Sequence, residues 1–132
     1  MNNNILFNEM IEKQLPNVLI NKLSESDIQR ITNKLNDSIF NNNCVLYQGV
    51  YYKKNNKFYI PFYYNYKKIS LTRVLYINYV ESVNSNTHIK YTCNNKGLCC
   101  CLNHMILSKT NINTINNNNN NNNDNDNNIV TF

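Results

Sequence analysis

A small α+β domain, with an antiparallel meander and flanking helices, is what the sequence predicts. Three observations lead there. Apolar residues between Ile5 and Ile39 recur at helical spacing. The middle of the chain is rich in Tyr, Phe, Val and Ile, which suit strands. Four of the five cysteines and one of the two histidines crowd between Tyr91 and Asn113.

The chain has 132 residues, which points to one domain. Both ends are Asn-rich, so the part able to bury a core is shorter, and a core of under about 100 residues often needs a staple. The formal charge of +5, from 13 Lys and Arg against 8 Asp and Glu, permits a polyanionic partner. No apolar run approaches the roughly 18 residues that a membrane span needs. The opening M-N-N-N-I-L-F-N-E-M lacks a basic stretch followed by a long apolar one, so no leader is expected. These readings imply an intracellular, reducing setting, the nucleus included, and no membrane partner. There, clustered cysteines bind metal more often than they pair, and five is an odd number for a closed disulfide set.

Residues 1–23 read as an N-terminal arm. Ile5, Phe7, Met10, Ile11 and Leu15 fit a short amphipathic helix that stops before Pro16, and Val18, Leu19, Ile20 and Leu23 form a second apolar patch. The domain proper spans 24–115. Ser24-Glu25-Ser26-Asp27 has the form of a helix cap, and Ile28, Ile31, Leu35 and Ile39 share a face, so a helix is expected from Glu25 to Asp37. Asn41-Asn42-Asn43 breaks it. Three strands follow from Cys44, turning at Lys53–Asn56 and at Asn65, with Pro61 marking an edge or a bulge. Their tyrosines read as half-buried packing residues, with base stacking as the sharper alternative.

Ser70–Tyr79 is expected as a helix with Leu71, Val74 and Leu75 facing inward. Thr87–Cys93 and His104–Leu107 are expected as strands, and Ser108 or Thr110 as the cap of a last helix holding Asn111 and Asn113. The tail, 116–132, opens on an unbroken Asn run that cannot bury apolar area and is expected to be disordered.

Cys93, Cys99 and, five residues on, His104 have the spacing of a metal knuckle. Soft thiolates with one imidazole favour zinc, which takes four tetrahedral ligands. Cys44, the one cysteine outside the cluster, can supply the fourth. Cys100 and Cys101 compete with Cys99 for its place, and free thiols in a reduced protein are the plain alternative. Lys53, Lys54, Lys57, Lys67, Lys68 and Arg73 are interleaved with tyrosines. They read either as DNA phosphate contacts or as a solvated, lysine-guarded sheet edge.

The order helix, Cys44, aromatic strands, T-R-V-L-Y helix, strand with C-N-N, C-x4-H knuckle and S-K-T-x-x-N resembles the zinc-binding region of HNH-type homing endonucleases, the His-Me finger and His-Cys box group. The likeness covers about Ser26 to Asn113. It implies a zinc-stabilised ββα-metal domain with a structural zinc on Cys44, Cys93, Cys99 and His104. It places Arg73 at the family's helix Arg and Asn94 and Asn95 at its D-N pair. Asn113, nine residues after His104, falls where the family holds a catalytic Mg²⁺. The family's general base, a His two residues before the first knuckle Cys, is Tyr91 here. The Cys93–Cys99 gap is one residue longer, absorbed at Gly97, and the two knuckle prolines and the second cysteine cluster are absent.

A tyrosine with a pKa near 10 is a poor base at neutral pH, and losing such a group costs on the order of 10²–10⁴ in rate. His88 lies three residues before Tyr91, so a strand would send its side chain to the opposite face. The expectation is therefore a DNA-binding domain with little or no cleavage, open to homodimer formation. The alternatives are an active Mg²⁺-dependent endonuclease with an unusual base, and a non-enzymatic structural or protein-interaction module.

Overall fold

The computed structural model describes residues 3–109. They form a small α+β fold of three helices and three short antiparallel strand pairs. Helix α1 spans Asn3–Lys13 and buries Leu6 and Met10, with Phe7 and Ile11 packed at the margin. Ile5, expected on the inner face, is 54% exposed. Of the second apolar patch only Leu23 is buried, while Leu19 and Ile20 project into solvent.

Helix α2, Glu25–Thr32, begins as its sequence requires. The Ser24 hydroxyl accepts from the Asp27 N–H, and the Asp27 carboxylate accepts from the Ser24 N–H, a complete capping box. It ends earlier than the expected Asp37. The chain turns at Asn33, where Lys34 N–H and Leu35 N–H donate to the carbonyls of Ile31 and Thr32 in a tighter spacing. Leu35 and Ile39 still reach the core, from irregular backbone.

The expected three-stranded meander is corrected to two separate hairpins. Strands β1 (Tyr52–Lys54) and β2 (Lys57–Tyr59) pair with each other, and β3 (Pro61–Tyr64) pairs with β4 (Lys67–Ser70). Ile60 and Pro61 separate them, since Pro61 has no N–H to donate and so suits the start of an edge strand. Asn55 and Asn56 in one turn, and Asn65 and Tyr66 in the other, all have positive φ, as type I′ hairpin turns require. Residues 44–51 are not a full strand. Leu46 instead bridges Cys99 in antiparallel fashion.

Helix α3, Leu71–Tyr79, is capped by Ser70, whose hydroxyl accepts from the Arg73 N–H, and it buries Leu71, Val74 and Leu75. Strand β5, Thr87–Tyr91, stops two residues short of Cys93. It pairs with β6, Met105–Lys109, which starts one residue after the expected His104. His104 closes a 3-10 turn, Leu102–His104. Ser108 lies within β6, so it does not cap a helix. Thr110, Asn111, Asn113 and the tail lie outside the described residues.

One apolar cluster joins α1, α2, α3, the Ile60–Phe62 segment, β5 and the knuckle. Asn78 is fully buried at its centre. Its side-chain oxygen accepts from Gln14 Nε2 and the Leu23 N–H, and its amide donates to the carbonyls of Asn21 and Val74. That satisfies every hydrogen on the amide and both oxygen lone pairs. Among the described residues no helix is long and apolar enough to cross a membrane.

Candidate metal centre

Two loops and a short ladder build the centre. After Ile39 the three asparagines do not simply break the chain. Asn103 Nδ2 donates to the Asn41 carbonyl at 3.0 Å and to Asn42 Oδ1 at 2.9 Å, and the Cys101 thiol donates to the Asn41 carbonyl. These bonds dock residues 41–43 on the 3-10 turn and bring Cys44 to it. Beyond Cys44, the chain runs beside residues 98–100. Cys100 N–H donates to the Val45 carbonyl at 2.8 Å, and Tyr47 N–H donates to the Leu98 carbonyl at 3.2 Å.

The knuckle turns at Gly97, whose φ is +90°. A Cβ at that residue would lie 1.8 Å from the Phe58 carbonyl oxygen. Only glycine allows the knuckle to press this closely on β2 while holding that backbone angle. Phe58 N–H donates to the Lys96 carbonyl at 3.0 Å and fixes the same contact.

The outcome is a set of four ligand atoms, from Cys44, Cys93, Cys99 and His104, all within 4.8 Å of one another. This cluster could hold a metal ion. Cys99 is buried, Cys93 is half-buried and Cys44 is exposed. His104 Nδ1 lies 3.6 Å from Cys44 Sγ and 3.5 Å from Cys99 Sγ. Its Nε2 lies 2.9 Å from the Asn42 carbonyl, which can only accept. In the neutral ring the proton therefore sits on Nε2, and Nδ1 turns a lone pair toward the sulfurs. A backbone carbonyl accepting from the other ring nitrogen is how a metal-binding imidazole is normally oriented.

The sulfurs have donors of their own. Asn95 Nδ2 donates to Cys44 Sγ at 3.5 Å, and Cys101 N–H donates to Cys99 Sγ at 3.4 Å. The Asn95 amide favours the Cys44 thiolate and pulls that pKa below the usual thiol value. Burial pushes Cys93 up and Cys99 up to about 12. A bound cation reverses that order, because a coordinating thiol is deprotonated outright. Cys100 and Cys101 are buried and lie outside the set. The sequence had weighed Asn42 only as a breaker, and its role in orienting His104 had no sequence signal in so Asn-rich a chain.

The remaining predicted residues fall elsewhere. Arg73 donates to the carbonyls of Thr87 and Asn84, each at 2.7 Å, and so ties α3 to the start of β5. Tyr91 exchanges a 2.7 Å hydrogen bond with the Thr72 hydroxyl, and burial pushes its pKa up to about 12. Arg73, Thr72, Tyr91 and His88 border one cleft of about 300 Å³. Lys53 and Lys54 are on β1, Lys57 on β2, and Lys67 and Lys68 on β4. Asn113 is outside the described residues.

Over an alignment of 108 positions that covers 78% of this chain, it is 41% identical to part of an uncharacterized protein of Acanthamoeba polyphaga mimivirus. The chain spans about a third, 32%, of the length of that relative. No family model matches, and no solved structure matches.

Proposed function

We propose that this chain is a zinc-tied domain of the homing-endonuclease, His-Me finger kind that binds DNA and cleaves it little or not at all. The observation that carries the reading is the meeting of Cys44 with Cys93, Cys99 and His104 across the length of the fold. Three thiolates and one imidazole are zinc's preferred donors, and four protein ligands leave no open position, so the ion's part is structural. When bound, zinc supplies a cross-link between the 41–44 loop and the knuckle. Those are the segments with little regular structure to hold them.

Charge supports the partner. Between Cys44 and Lys109 the chain has nine cations (Lys53, Lys54, Lys57, Lys67, Lys68, Arg73, Lys90, Lys96 and Lys109) against the single acid Glu81. Such segregation favours a phosphate backbone and gives an affinity that falls with salt. Tyr91 stands where the resemblance puts the general base, and a phenol hydrogen-bonded to Thr72 is poorly suited to take a proton from water near neutral pH.

The test has three parts. Elemental analysis of protein purified from reducing cells should give one zinc per chain. DNA retention should fall as salt rises, and absence of retention at low salt would leave only a structural or interaction module. Tyr91→His should gain plasmid nicking in Mg²⁺ over the parent chain. A second reading, an active Mg²⁺-dependent endonuclease, is favoured by His88 bordering the cleft of Arg73 and Tyr91. Strong nicking by the parent chain, lost in His88→Ala, would select it.

A further inference from the structure

We propose that the face made by the two hairpins takes unpaired nucleotides, with Tyr52 and Tyr63 as stacking platforms beside Arg30, Lys34 and Lys68. The inference rests on the nucleic-acid reading above and names the form of nucleic acid bound. A groove of about 710 Å³ runs between the end of α2, the 47–50 loop and β3, with Arg30, Lys34, Tyr52 and Tyr63 in its walls. That volume falls within the roughly 300–1,000 Å³ typical of pockets for drug-sized ligands.

Several tyrosines elsewhere in the fold are spent on packing, and the exposed Tyr51 and Tyr66 lie outside this groove. The hydroxyls of Tyr64, Tyr79 and Tyr91 bond to Lys22, Met10 and Thr72. Tyr52 and Tyr63 differ, being 49% and 58% exposed. Tyr52 lies nearly parallel to its cross-strand partner Tyr59, with ring centroids 6.3 Å apart and planes 12° from parallel, so a base on Tyr52 would extend an existing stack. Lys68 Nζ sits over the Tyr52 ring, 5.4 Å from its centroid, where it would move aside to a phosphate as a base stacks. Arg30 is held in place by Asp27 at 2.8 Å, by the Tyr63 carbonyl at 3.0 Å and over the Phe62 ring.

Cations interleaved with exposed rings are the two elements that bind single strands without sequence preference. A duplex cannot use the rings, because its base faces are covered by their neighbours, and it would engage only the cations. The groove should therefore prefer a single strand to a duplex.

The experiment measures binding of the zinc-loaded full chain to a labelled oligothymidylate and to a duplex of the same length at one low salt concentration. The single strand should bind more tightly. The double variant Tyr52→Ala, Tyr63→Ala should weaken it by about tenfold or more, leaving duplex binding nearly unchanged, because two base–ring stacks together contribute at least that much. The Tyr→Phe pair should keep the preference, which separates ring stacking from a lost hydroxyl or a misfolded face. Equal affinity for both forms, or an equal loss on both in the Ala pair, overturns the inference while leaving the DNA-binding reading standing. No binding of either form overturns both.

Discussion

Gly97 shows how one residue type can settle the geometry of a site. Its φ of +90° is a backbone angle that glycine tolerates and L side chains rarely adopt. A methyl group at that residue would also collide with the Phe58 carbonyl. Backbone atoms cannot swing aside as a flexible side chain can. Gly97→Ala should lose at least about 2 kcal/mol in urea unfolding, combining the strain of the angle with displacement of the knuckle from β2. The same variant should hold zinc less tightly. A change within about 0.5 kcal/mol would show that the knuckle does not press on β2.

At the level of elements, the short ones are held by their ends. Helix α2 has only eight residues, too few for helix propensity to stabilise it alone. Burial would raise the Asp27 pKa, but bonds from the Ser24 N–H and hydroxyl and from Arg30 outweigh it and lower the carboxyl below its usual value. A depressed acid contributes stability above its unfolded pKa and loses it as pH falls through the folded value. Asp27→Asn should therefore cost about 1 kcal/mol near pH 7, and the gap between the two proteins should close as the solution is acidified below about pH 4. A gap unchanged in acid would place the effect outside the cap. The second hairpin gives a change of opposite sign. Tyr66 is fully exposed and has a φ of 65°. Tyr66→Gly would make the turn Asn-Gly, the preferred type I′ pair, and should raise stability by about 1 kcal/mol. A fall in the melting temperature would mean that the ring has a packing role.

For the molecule as a whole, the candidate metal centre brings Cys44, ahead of the hairpins, to the 93–104 knuckle behind them. Structural zinc in small domains contributes on the order of 10 kcal/mol of apparent binding energy. Here part of the fold has its own apolar core, so the loss should be largest around residues 41–47 and 92–104. On the zinc reading proposed above, Cys44→Ser should lose zinc, lower the melting temperature and raise amide exchange in those two segments first. Uniform loss of protection would mean that the centre holds the entire core. Much of this was legible in the chain. The Ser24 cap, the inward face of α3, the two turn positions and the ligand spacing all rest on local chemistry, which neighbouring residues fix by themselves. Sequence periodicity could not separate a three-stranded meander from two hairpins. Strand pairing is a contact between distant residues, and the break at Ile60 and Pro61 was decided by what packs beneath them. The sequence by itself determined the α+β class and which residues could serve as donors, because residue type and spacing set donor chemistry. Only the tertiary structure decided that Cys44, Cys93, Cys99 and His104 meet, that Asn42 turns the His104 lone pair inward, and that His88 and Tyr91 border one cleft. Each of these depends on backbone segments that only the packed core brings together.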